Sequence, residues 1–292
     1  MHAKLTIIAA ALLLATSAVA RETVDRSLDT NDSPEVSISN VAGSVKVVGG
    51  GGKTVRVEGS LDDDVEDLRI RAEEDRVDIE VILPRHSHRG GDADLVITVP
   101  KGAMVEVETV SAWIEVAGVE GELDLESVSG DITVEGADAE ADVSSVSGRI
   151  ELSGSFPRLE AESVSGDVEV DGASGDLEIS TTSGRIGIIG GDFDSVDCQS
   201  VSGSIRFEGR PKKGAEISME NFSGNTTLRL PADLDATIEV ETHSGDIESD
   251  FGDERVRREK YGPGAWFETE VGDGSARIEV SSFSGDVRLM KE

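Results

Sequence analysis

The stretch SVSGDITVEG, Ser127–Gly136, returns as SVSGRIELSG from Ser145 and as SVSGDVEVDG from Ser163. Ser-Gly stands at 129–130, 147–148, 165–166 and 183–184, a constant step of 18. It continues at 202–203, 223–224, 244–245 and 284–285, with steps of 19, 21, 21 and 40. A catalytic motif needs its serine once, so a fixed period marks a building unit. Aligned on Ser-Gly, one unit offers Leu123, Leu125, Val128, Ile132 and Val134, and the next Ala141, Val143, Val146, Ile150 and Leu152. Apolar residues alternating with polar ones on both sides of Ser-Gly describe two short strands, each with one buried face. Ser-Gly reads as a tight corner where glycine supplies a positive φ. A polar stretch such as GADAEAD from Gly136 returns the chain.

A parallel solenoid and an antiparallel meander both fit two strands per unit. The residue after Ser-Gly decides between them: it runs Asp131, Arg149, Asp167, Arg185, alternating in sign. Equivalent residues of a parallel stack lie about 4.8 Å apart, so the four form a ladder of alternating charge. In a meander they would sit two strands apart and the alternation would have no cause. The expected fold is all-β: a single-stranded, right-handed parallel β-helix with rungs of 18–21 residues. Cys198 shares a column with Leu125, Val143 and Ile179 and reads as a buried hydrophobe. His243 shares the column of Val128, Val201, Phe222 and Phe283 and is expected to be packed.

Outside the array, residues 1–20 carry Lys4, an apolar run and an Ala-Val-Ala end, the pattern of a secretory signal peptide. Residues 21–35 read as a linker, and 36–100 as an amino-terminal cap with irregular strands, because solenoids need an atypical end. Rungs fill 101–292, with an insertion at about 250–275 that breaks the period and is locally basic. No later run is long and apolar enough to span a bilayer. The chain is therefore expected in the periplasm or outside the cell. Its formal net charge of -33 argues against nucleic acid and for cations or a basic envelope or surface partner. One cysteine excludes an intramolecular disulfide.

The exported start, the lead-in ITVPKGAMVEVETVSAWIEV and the iterated SVSGDI/SVSGRI rungs resemble a bacterial β-strand-repeat family labelled "putative adhesins". The resemblance covers roughly 36–292 and implies a β-helix-like envelope protein; it supplies no catalytic residues.

The chemistry left open is that of binding. The Ser-Gly serines recur at a structural corner, which argues against a serine nucleophile. Glu106, Asp124, Asp142, Glu160, Glu178 and Asp197 form an outward column of acids through six successive rungs, and Glu108, Glu126 and Glu162 add to the same face. Like charges about 5 Å apart repel by roughly 0.8 kcal/mol per pair even in water. A basic partner or a calcium ion would relieve that repulsion; no other cofactor is expected. His86 and His88 form a weak metal-binding candidate. The expectation is a non-catalytic, adhesin-like binding or scaffold protein. The alternative is a polysaccharide lyase or hydrolase on the same fold, with carboxylates and a Lys or Arg in a cleft.

Overall fold

The computed structural model describes residues 22–50, 52–84, 91–252, 256–258 and 264–292; residues 1–20 and the His86/His88 pair lie outside them. All described regular structure is β, in twenty-five strands that join one continuous sheet. The repeat unit is a rung of two short strands, as in Leu123–Ser127 and Ile132–Asp138. Rungs stack in parallel and in register: Leu123 pairs with Val105 on one side and Ala141 on the other, and Ile132 with Ile114 and Ile150. First strands therefore build one face and second strands another. Long strands, Ile186–Ser202 and Ile205–Ser223, run through both faces and the return between them.

Between the faces lies a continuous core. Leu123, Leu125, Ile132 and Val134 are buried completely, and so are their counterparts in neighbouring rungs. The return stretches add buried Ala137, Phe156, Ala173 and Phe193, and Phe193 packs on Phe207 with ring centroids 5.5 Å apart. Cys198 lies between Ile179 and Met219 in this core, and burial pushes its thiol pKa strongly up.

The corner differs from its sequence reading in two ways. Gly130, Gly148, Gly166 and Gly184 do not have a positive φ, whereas Gly224 and Gly285 further along the corner do; the left-handed glycines Gly118 and Gly136 follow the core residues of the second strand. The Ser-Gly glycine is required by close approach instead. A Cβ at Gly148 would fall 1.9 Å from the carbonyl oxygen of Gly130, and one at Gly166 1.9 Å from that of Gly148. Secondly, the pleat alternates one residue further than the apolar pattern suggests. Ser127 points inward, and Val128 points outward with Val110, Val146, Val164 and Val201. The inward serine is tolerated because its Oγ accepts the Gly130 N–H at 2.8 Å; Ser145 and Ser163 repeat the bond to Gly148 and Gly166.

The stack order departs from chain order at both ends. The rung of Glu35–Asn40 and Gly43–Gly49 lies between the strands Arg76–Ile82 and Ala93–Val99 and those of Met104–Thr109 and Trp113–Ala117. At the other end, Ala276–Ser284 inserts between the last part of Ile205–Ser223 and Ala236–Ser244. The final rung of the chain is thus internal and offers no free edge for end-to-end pairing. Antiparallel strands close both ends: Asp67–Glu73 on Arg76–Ile82, Thr54–Leu61 on Ala93–Val99, and Ala265–Val271 on Ala236–Ser244. Part of the segment expected as a linker, 21–35, belongs to this closure, since Glu22–Asp29 is a strand antiparallel to Thr54–Leu61.

The corner's three roles separate by substitution. Ser147→Ala removes an exposed hydroxyl and is expected to shift stability by less than about 0.5 kcal/mol. Ser145→Ala leaves the Gly148 N–H without its acceptor and costs roughly 1–3 kcal/mol. Gly148→Ala must push two rungs apart and costs the most, about 3 kcal/mol or more. Urea unfolding of the three variants checks the ranking.

Candidate functional site: a groove along the corner

The acid column of the first face is stacked in register, with Glu106 beside Asp124, then Asp142, Glu160, Glu178 and Asp197. Serines end it on both sides, Ser37 before Glu106 and Ser218 after Asp197. Cations reach only some members: Arg76 lies 3.6 Å from Glu106, and Arg158 lies 3.9 Å from Glu160. Among the described residues Asp124, Asp142, Glu178 and Asp197 carry no ion pair. Partial burial raises the pKa of Asp124, and the charges of Asp142, Glu126, Glu106 and Glu108 raise it further. Among the described residues no three His, Cys, Asp or Glu side chains converge as a metal cage.

The ladder of Asp131, Arg149, Asp167 and Arg185 is held together mainly through the backbone. Asp131 Oδ1 accepts the Arg149 N–H at 2.8 Å, and Asp167 Oδ1 accepts that of Arg185 at 2.8 Å. The Arg149 guanidinium turns to Glu151, 3.2 Å away on its own strand, while that of Arg185 stays 3.9 Å from Asp167. This ladder stitches successive rungs and leaves little for a ligand.

The feature that sequence reasoning missed lies between these two columns. Because the chain dents inward at Ser127 and its counterparts, the outward residues on either side become the walls of a groove of about 1110 Å³ that crosses the rungs. One wall is the apolar ladder Val41, Val110, Val128, Val146, Val164, Val201, Phe222 and Phe283, interrupted by Thr182. The other carries Glu108, Glu126, Glu162 and Glu220 with Ser144, Ser180 and Gln199 between them. The floor is the buried Ser/Thr/Asn column. Among the described residues no Lys or Arg lines the groove, and these four glutamates have no ion pair. Val146 and Val164 are 45% and 47% exposed, large values for apolar side chains in adjacent rungs.

Near the carboxy-terminal end the ladder becomes aromatic. Phe222 stacks on Phe283 with centroids 4.7 Å apart, and Phe283 on His243 at 4.8 Å. His243 is therefore exposed and stacked on one face rather than packed in the core. The intercalated last rung makes this possible, since it sets Phe283 between Phe222 and His243. The parity of the pleat was the signal available in sequence: counting in twos from Leu123 puts Ser127 inside and Val128 outside.

With this geometry in view, the family model described as Toastrack DUF4097 matches residues 34–290, and the chain belongs to that family. Among solved structures, a "putative adhesin" from Parabacteroides distasonis is 10% identical with a TM-score of 0.44, covering 92% of this chain and 97% of its own. A "putative adhesin" from Bacteroides fragilis is 9% identical with a TM-score of 0.42, covering 93% and 99%. A "putative lipid binding protein" from Parabacteroides distasonis is 14% identical with a TM-score of 0.35, covering 91% and 96%. No curated protein matches the chain. No helix among the described residues is long and apolar enough to cross a membrane.

The raised pKa of Asp124 has a definite sign for stability. The folded state disfavours its charged form, so its contribution is complete below the ordinary aspartate value of about 3.9 and is lost as pH rises through the higher folded value. Asp124→Asn is expected to raise the urea midpoint at neutral pH and to leave it unchanged near pH 3.

Proposed function

We propose that this member of the Toastrack DUF4097 family is a non-catalytic binding module of the cell envelope that holds an elongated ligand in the corner groove. The single observation that carries this reading is the exposed apolar ladder, which runs through Val110, Val128, Val146 and Val164 in successive rungs and resumes at Val201 after Thr182. The acid column from Glu106 to Asp197 and the groove glutamates favour basic groups on the ligand, drawn in by the field of a strongly acidic molecule. Export is supported by the leader-like pattern of residues 1–20. The coil is read as right-handed, the hand of nearly all parallel crossovers. Binding is favoured over a polysaccharide-cleaving enzyme because no described Lys or Arg lines the groove, and the one cation beside a groove carboxylate, Arg69, is taken up in an ion pair with Glu80 at the groove's end.

The test is retention of envelope extract on the immobilised protein, with and without a chelator, against the double variant Val146→Lys/Val164→Lys. Both valines are exposed, so the variant is expected to fold as the parent does. Wild type should retain a component that the variant loses, and chelation should not release it. Release by chelator would move the contact to a bound divalent cation. Equal retention by the variant, or depolymerisation of envelope polysaccharide by wild type, would overturn the reading.

A further inference from the structure

We propose that the occupant of the groove is an amphipathic α-helix of a partner protein, apolar along one stripe and flanked by lysine or arginine. This deepens the binding reading above and rests on it.

The spacing of the walls is the first argument. Apolar side chains from Val41 to Phe283 recur every 4.7–4.9 Å or so, at each rung but that of Thr182. An α-helix advances 5.4 Å per turn, so its apolar stripe stays near step with the rungs over two or three turns and slips by about one rung over the whole ladder. Nine rungs span about 38 Å, the length of a helix of about 25 residues. An extended peptide repeats its side chains every 6.6–6.8 Å or so and falls out of step with the ladder. It also lacks an edge to join: the groove runs across the strands, whose N–H and C=O groups already pair with the rungs on either side. A helix satisfies its own backbone and needs only side-chain contacts, the helix-in-groove mode.

Charge is the second argument. Glu108, Glu126, Glu162 and Glu220 border the apolar ladder, and among the described residues none of them has a cation of its own. Basic residues flanking the apolar stripe of a helix would meet them at the groove's rim.

The floor is closed to the ligand. In three rungs the inward hydroxyl is taken by a glycine N–H, as described for Ser127. The Thr181 and Ser200 hydroxyls have no such partner but are themselves buried, so the contact comes from the two walls. A polysaccharide fits less well, because the aromatic faces that sugars stack on lie only at Phe222, Phe283 and His243.

The probes are three synthetic peptides of about 25 residues. One carries Leu at helical three- and four-residue spacing with Lys flanks. The second has the same composition in strict alternation, and the third replaces Lys by Glu. Binding is read by fluorescence anisotropy at physiological salt. Helix formation is read by circular dichroism, where a protein with no described helix leaves the peptide signal clear. The helical Lys peptide should bind at least about tenfold more tightly than either control, gain helicity, and lose about tenfold in affinity to Val146→Lys/Val164→Lys. Equal binding of the alternating peptide would reduce the effect to net charge and overturn the proposal. Unchanged binding by the variant, or binding of a neutral polysaccharide in place of the peptide, would also overturn it. If the peptides fail while envelope retention still depends on Val146 and Val164, the helix is wrong and the binding reading stands.

Discussion

The approach of one rung's carbonyl to the next rung's glycine sets the rest of the structure. Along the corner, the space a Cβ would need at Gly130, Gly148, Gly166, Gly184 and Gly203 is occupied by the carbonyl oxygen of the rung before, within 1.7–2.2 Å. From Gly130 onward glycine lets the rungs stack at full backbone hydrogen-bonding distance through the bend; Ala112 takes the position one rung earlier. The column continues through Gly224, Gly285 and Gly245, in that spatial order. Corner, register and stack order therefore obey one steric rule.

Strict register turns every outward position into a column, and the columns carry the protein's chemistry. Where a column needs to be neutral, the sequence places an aspartate whose oxygen takes the next rung's N–H, as Asp131 does for Arg149. Where it repeats an acid, the carboxylates accumulate, and Asp124 responds with a raised pKa. Where it repeats valine outside the corner, an apolar wall rises beside the acids of the first face. The groove is the space between two such repeats.

Much of this was legible in the residues. The step of 18 and the alternation around Ser-Gly point to stacked two-strand rungs, and the acid column follows from counting along them. The role of Cys198 follows likewise from its column. The corner glycine was legible as an obligation but not in its cause, since an added Cβ clashes with a rung 18 residues away and no local pattern reports that. The outward turn of Val128 was obscured by its hydrophobicity: an apolar residue beside a strand reads as core, whereas the Ser127–Gly130 hydrogen bond holds serine inside and valine out.

By itself the sequence determined the rung, its two strands, the register and the acid and Asp/Arg columns, because a period repeated at near-constant length leaves one in-register way to stack. The tertiary structure alone decided the order of the end rungs and what that order assembles. Placing Ala276–Ser284 inside Ala236–Ser244 brings Phe283 between Phe222 and His243. A period carries no information about which rung lies outermost; that follows from covering the exposed edges with antiparallel strands, a requirement of the whole stack.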